Sequence, residues 1–536
     1  MMKKLSAAIL VAMAATPAFA EESDIGSQSK SQAIGYIGEL SKQAIQAGNL
    51  WRLQAVGYDD AYSSIDNLSE RVKFWHTVAL DTVALDHTPA AEGEGSPLNQ
   101  GGPTRTSRAL AMVQIAVFDA LNAIEGDYVS YGKAIDVDAG ASPHAAVAFA
   151  AFRTLKRLYP AQEARLKEIR DNEVDLIKSF TSRSSYKAGK DVGVDAFKAI
   201  REDRRGDKSG RAEPDFGEGG RVANGGKETF FGTKVNGGTR NIGEWQPDPN
   251  TPATAGDFNL ALGAFWGNVK PFTMDSGDQF RIAPPPLPDS EEYAKAYAEV
   301  AAVGGAPTNE RTTSTSTDAT RFVGNYWGYD GVPLIGVPPR IYNQIAIQIA
   351  KAEGQTDALD LARTLAMVNV GMADVGIAAW DSKFYYNYWR PVTGIRSEDL
   401  NEDTVKDITW DPVGVSVINT TESIRPTPPF PAYPSGHAAF GGVTFEVLRD
   451  AFGDDTPFTF VSDEYNGLGV DPFFPDVYRP FVPVRFESLT DAQEQNGVSR
   501  VYNGVHWNFD DIAGQQQGTA IGHHLINNVE AFQPAW

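Results

Sequence analysis

The chain has 536 residues, 42% hydrophobic and 22% charged, with 51 Gly and 32 Pro, which excludes disorder as its general state and leaves room for more than one domain. Its 69 acidic against 47 basic side chains give a net charge of −22, a surface that repels nucleic acid and anionic membranes. Without cysteine it has no disulfide, thiolate nucleophile, Cys-bound zinc or iron–sulfur cluster.

Residues 1–20 read as a cleaved export signal peptide. Lys3 and Lys4 precede an apolar run from Leu5 to Ala15, and Ala18-Phe19-Ala20 has the small-x-small form of a cleavage site. That run is too short to span a bilayer, and no later stretch offers about eighteen uninterrupted apolar residues, so an exported protein, periplasmic or extracellular, with no membrane span is expected. Met1, Met2 and Met13 leave with the leader, which reduces the methionines from seven to four and makes a chain that tolerates oxidants.

Helical periodicity dominates the rest. Stretches 34–56 and 65–85 are expected to be helical, followed by 107–124, where Leu110, Val113, Val117, Leu121 and Ile124 recur at steps of three and four. Ser142 with Pro143 is an N-cap followed by a first-turn proline, opening a helix that Pro160 ends. Helices over 161–179, 186–203, 290–303 and 338–353 follow. Between 356 and 379 the stripe Leu361, Leu365, Val368, Met372, Val375, Ala379 marks a long core helix. Stretches 204–288 and 305–320 read as long loops, and no alternating pattern is long enough to build a sheet. The expected fold is mainly α, two packed helical bundles with long irregular connections. After the leader, residues 21–270 would carry the N-terminal bundle and long loop, and 271–536 the C-terminal bundle with the site.

Three segments of the C-terminal half carry chemistry. In the first, Lys383 and Arg390 stand seven apart, close to two helical turns, so both can point one way. The second is Pro434-Ser435-Gly436-His437, opening an apolar helical run. The third is Ser499-Arg500, followed by His506 and Asp510 four apart. Each has a plainer reading: a solvated face with aromatic packing, an N-cap serine, a surface His–Asp pair. His76, His87, His144, His523 and His524 fall in no such pattern and are read as structural. Together, the three segments supply what a tightly held phosphate-like anion requires: guanidinium forks and an ammonium, helix N-terminal N–H groups, a glycine that lets backbone approach, and two histidines for chemistry.

This set resembles the three-part signature of the type 2 phosphatidic acid phosphatase superfamily, which includes the vanadium-dependent haloperoxidases. Trp380, Phe430-Pro431-Ala432-Tyr433, Tyr502-Asn503-Gly504-Val505, Tyr329-Asp330-Gly331 and Pro338-Pro339-Arg340 resemble vanadium chloroperoxidases in particular, over about 320–515. The resemblance implies vanadate as cofactor, with His506 its axial ligand and Lys383, Arg390, Ser435, Gly436 and Arg500 holding its oxygens. It implies His437 as acid–base residue, Asp330 paired with Arg500, and Trp380 and Phe430 lining the halide side. Residues 438–498 form a long interval, expected to be an insertion covering the site.

On that reading the partners are hydrogen peroxide, a halide, chloride or bromide, and small organic acceptors, with Lys383 polarising the bound peroxide and hypohalous acid as the product. The alternative is an exported acid phosphatase, in which His506 attacks phosphorus to form a phosphohistidine, His437 protonates the leaving alcohol and Asp510 orients His506.

Overall fold

The computed structural model describes residues 64–535 apart from 65, 89–97, 215–220, 225–226, 231–241, 251–259, 308–313, 421–423 and 476. The expected leader and the helix over 34–56 lie outside the described residues.

The chain is mainly α. Among the described residues its α-helices are α1 (Leu68–Asp86), α2 (Gly102–Glu125), α3 (Pro143–Leu158), α4 (Glu163–Phe180), α5 (Arg183–Asp203), α6 (Glu291–Val303), α7 (Asp318–Tyr326), α8 (Pro339–Ala352), α9 (Ala358–Tyr386), α10 (Pro391–Arg396), α11 (Gly436–Phe452), α12 (Leu489–Tyr502) and α13 (Asn508–Asn528). The caps fall where the residue types dictate: the Ser142 side chain accepts from the Ala145 N–H at 3.3 Å, with Pro143 in the first turn.

Helix α9 is the spine. Apolar on every face, it is packed by α2 from the N-terminal helices and by α11 and α13 from the C-terminal ones. Both α2 and α9 are long and apolar enough to cross a membrane, and both are covered by protein instead. One apolar core runs continuously from Val72 on α1 to Leu525 on α13. Met112, Met274, Met367 and Met372 all lie inside it, none more than 6% exposed.

Close approach is built into the α11–α13 pair. Gly514, Gly518 and Gly522 recur every four residues on α13, and a Cβ at Gly518 would overlap the Ala439 carbonyl oxygen and lie 2.7 Å from Val443 N. A Cβ at Gly514 would lie 2.6 Å from the Ser435 carbonyl oxygen.

Among the described residues two antiparallel strand pairs interrupt the helices: β1 (Arg221–Asn224) with β2 (Lys227–Phe230), and β3 (Phe458–Asn466) with β4 (Phe481–Phe486). The second pair corrects the expectation of no strand pattern. Its inward face is Phe458, Phe460, Ser462, Glu464, so the alternation in burial is regular while the alternation in hydrophobicity stops halfway. The hairpin packs on α7 and α8.

Candidate active site

Lys383 lies in the last turn of α9, which ends because Asn387 adopts a left-handed conformation (φ 52°) and returns its N–H to the Lys383 carbonyl. Arg390 then caps α10. The two cations are therefore not two turns apart on one helix, as their spacing suggested; they stand on either side of the turn at Asn387, and both lie against the Phe430 ring. Burial, with Arg390 nearby, lowers the Lys383 pKa well below its usual value. Its ammonium donates to the carbonyls of Pro431 and Ala432, both at 2.9 Å, and of Pro434. All three of its N–H bonds thus tie down the loop that leads into Ser435.

Ser435 is the N-cap of α11, so its plainer reading also holds: its Oγ accepts from Ala438 N–H at 3.4 Å. The Gly436 and His437 N–H groups open the helix, where no intrahelical acceptor exists. The Ser435 N–H donates to the Asp510 carbonyl at 2.9 Å, which joins this helix start to that of α13.

His506 precedes α13 rather than lying on it with Asp510. Asp510, in the first turn, accepts from both the Trp507 N–H (3.0 Å) and His506 Nδ1 (2.9 Å) through Oδ2. An arginine only donates, and Arg390 Nη1 sits 2.9 Å from His506 Nε2. The tautomer follows: Nδ1–H points to Asp510, and the Nε2 lone pair points into the site. Burial, and then Arg390, Lys383 and Arg500, hold the His506 pKa well below the usual histidine range, so the ring is neutral. Burial also pushes Asp510 up to about 7, against the pull of Lys383 and the Trp507 N–H.

Arg390 gives its Nε to the Phe430 carbonyl (3.0 Å) and Nη1 to the Val505 carbonyl (2.8 Å) as well as to His506. Arg500, on α12, forms a forked pair with Asp330, Nη2 to Oδ1 at 2.7 Å and Nη1 to Oδ2 at 3.4 Å. Two donors remain: Arg390 Nη2 and Arg500 Nε are buried with no acceptor among the described residues. An unpaired buried donor costs about 1–3 kcal/mol, more when charged, so the pair marks a place for an oxyanion.

His437 donates Nε2–H to the Gly328 carbonyl at 2.8 Å, which makes Nδ1 its basic nitrogen. Burial and Arg500 lower its pKa well below the usual value. Its own carbonyl is held by Tyr342 Oη and Asn496 Nδ2, each at 2.9 Å. Trp380 and Phe430 meet at a ring separation of 4.9 Å, and Phe430 lies under both Lys383 Nζ (5.1 Å) and Arg390 Cζ (5.0 Å). The proposed site residues thus converge, all buried except Asp330, which is partly exposed.

Residues 438–498 are mostly α11, the β3–β4 hairpin and α12. The hairpin stands behind Asp330 instead of forming a simple cover. Glu464, wholly buried, accepts from the Tyr329 N–H (3.0 Å) and the Ser416 hydroxyl (2.7 Å) and pairs with Arg479, while the Ser416 N–H donates to Asp330 at 3.1 Å. Glu464, Arg479, Tyr342 and Asn496 are supports the sequence did not single out. A charged residue in a short strand gives no sign that it is buried. The five remaining histidines lie outside the site: His76, for example, is wedged between the Asn343 carbonyl and Gln114.

The family model described as the VCPO second helical-bundle domain matches residues 363–533. The chain is 30% identical over 512 residues to vanadium chloroperoxidase from Curvularia inaequalis, spanning 83% of this chain and 79% of that protein. The fold is similar to that of a bacterial vanadium-dependent iodoperoxidase (TM-score 0.65, 24% identity, 87% of this chain and 98% of the other). It is also similar to that of an apo-type bacterial vanadium-dependent chloroperoxidase (TM-score 0.59, 17% identity, 84% and 100%).

Proposed function

The chain belongs to the vanadium-dependent haloperoxidase family, whose cofactor is vanadate, and from that premise we propose that it oxidises halide with hydrogen peroxide to hypohalous acid, which halogenates small organic acceptors. The observation that carries this reading is the pair of unpaired buried guanidinium donors beside His506, whose Nε2 lone pair faces the site and is held only by Arg390 Nη1.

The donor set suits vanadate. His506 Nε2 would be its protein ligand, displacing the Arg390 contact that now occupies the lone pair. Arg390 and Arg500 would give their unused N–H groups to its oxygens, together with Ser435 and the Gly436 N–H at the positive end of α11. Lys383, its three bonds taken by carbonyls, contributes charge. Bound there, vanadate supplies Lewis-acid activation of hydrogen peroxide toward attack by halide. Asp510 holds His506 in the Nδ1–H tautomer. His437, neutral and with Nδ1 free to accept, takes the proton that incoming peroxide releases and returns it to the leaving oxygen. Trp380 and Phe430 exclude water on the halide side, and the apolar ring at 430 offers no competing hydrogen bond. The leader over residues 1–20 fits a protein acting outside the cytoplasm, periplasmic or secreted.

The test adds orthovanadate to vanadate-free protein and follows halogenation of a phenolic dye with hydrogen peroxide and chloride, bromide or iodide, beside hydrolysis of a phosphate ester without vanadate. Vanadate-dependent halogenation supports the proposal. Ester hydrolysis without halogenation overturns it in favour of the phosphatase.

A further inference from the structure

A second basic region lies apart from the residues described above. A cleft of about 860 Å³ is lined by the C-terminal ends of α3 and α5, the chain from 204 to 211, part of α2, and Phe265 and Asn268. Its volume is that of a small-molecule site, roughly 300–1,000 Å³. Seven of its lining side chains are Lys or Arg and only Asp207 is acidic, in a chain with 69 acids against 47 bases.

Internal pairing does not account for this charge. Asp207 is buried and already engaged, accepting from Arg108 Nε at 2.6 Å and from the Ser209 hydroxyl at 2.7 Å. Arg204 is tied to Asp203 and to the carbonyls of Lys270 and Pro271. Among the described residues no carboxylate pairs with Arg157, Arg201, Lys208 or Arg211. The helix dipole explains a cation at each C-terminal turn, Arg157 on α3 and Arg201 on α5. It does not explain why Lys208 and Arg211, on a connecting loop, face the same cleft. Arg211 lies flat on Phe265, 3.3 Å from the ring centre, so the wall offers an apolar face beside a cation.

We propose that this cleft is a second binding site, for a small organic molecule carrying two or more oxyanion groups, carboxylate or phosphate. Such a ligand would sit one short segment from the vanadate pocket. Leu262, three residues before Phe265, accepts Trp380 Nε1–H through its carbonyl (2.9 Å) and donates its N–H to Pro429 (3.0 Å).

The experiment is calorimetric titration of the vanadate-loaded protein with benzene-1,3,5-tricarboxylate, pyrophosphate and the uncharged benzene-1,3,5-tricarboxamide. Parent is compared with the Arg157→Gln/Arg201→Gln double variant, whose altered side chains are both exposed. The proposal expects saturable binding of at least one polyanion to the parent, weakened at least about tenfold in the double variant and by added salt, at unchanged vanadium content and thermal midpoint. Binding of the tricarboxylate alone identifies a carboxylate ligand, and of pyrophosphate alone a phosphate ligand. If neither anion binds the parent, if the double variant binds as tightly, or if the amide binds equally well, the proposal is overturned.

Discussion

Gly518→Ala on α13 sets two effects of opposite sign against each other. Alanine is the better helix former by about 1 kcal/mol, so propensity alone predicts a more stable protein. Against it, the added Cβ would overlap the Ala439 carbonyl oxygen and sit 2.7 Å from Val443 N and 2.9 Å from Gly442 Cα. All three are backbone atoms of α11, which no rotamer change can move aside. The helices must separate, and overpacking of this kind costs typically 1–3 kcal/mol. With backbone as the obstacle the upper end applies, for a net loss of about 1–2 kcal/mol. Separation also strains the Ser435 N–H to Asp510 carbonyl bond, and with it the position of His506. Losing about 1 kcal/mol there weakens vanadate binding about fivefold. Denaturant unfolding and equilibrium dialysis against vanadate measure the two effects. A variant about 1 kcal/mol more stable than the parent, with equal vanadate affinity, would refute the reasoning.

His506→Ala is expected to abolish vanadium retention with the fold intact; equal vanadium content after dialysis would sink the assignment. Arg390→Ala or Arg500→Ala should lower turnover by roughly 10²–10³, the usual effect of losing an oxyanion donor, whereas full activity would make either a structural charge only. Phe430→His places a hydrogen-bonding group on the halide side and should lose chloride oxidation in preference to bromide; steady-state rates with each halide decide it, and a parent inactive on chloride would detach the halide limit from this position. His76, buried and held down to about 4, binds a proton on unfolding but not when folded, so its contribution to stability is present above about pH 6.5 and lost as pH falls toward 4. Relative to His76→Gln, the parent should lose up to about 1.4 kcal/mol per pH unit across that window; parallel pH–stability curves would show that His76 does not titrate there.

The three segments around Lys383, Ser435 and His506 were legible because each is short, ordered in the chain and rich in charge or glycine, and the helices because their apolar stripes keep period. The route by which the segments meet was not legible. Spacing placed Lys383 and Arg390 on one helix, but a single left-handed Asn387 ends α9 and leaves the second cation beyond it, at the cap of α10. Asp510 looked like a helical neighbour of His506 and is a cap that holds the ring from one turn below. The β3–β4 hairpin stayed hidden because its buried face finishes on Ser462 and Glu464, and polarity, not burial, is what a sequence displays. Glu464 shows the same limit: the partners that make its burial tolerable, Arg479 and Ser416, come from elsewhere in the chain.

The burial of the four methionines that lie beyond residue 20 has a consequence for endurance. A catalyst that releases hypohalous acid is the first solute its product meets, and thioethers are among the side chains most readily oxidised. Here Met112, Met274, Met367 and Met372 are shielded by the core and cysteine is absent. If the chain has the activity proposed for it, self-inflicted damage must begin at slower-reacting surface groups, or wait for the protein to open, and its working life in that product becomes a measure of how seldom the native core breathes.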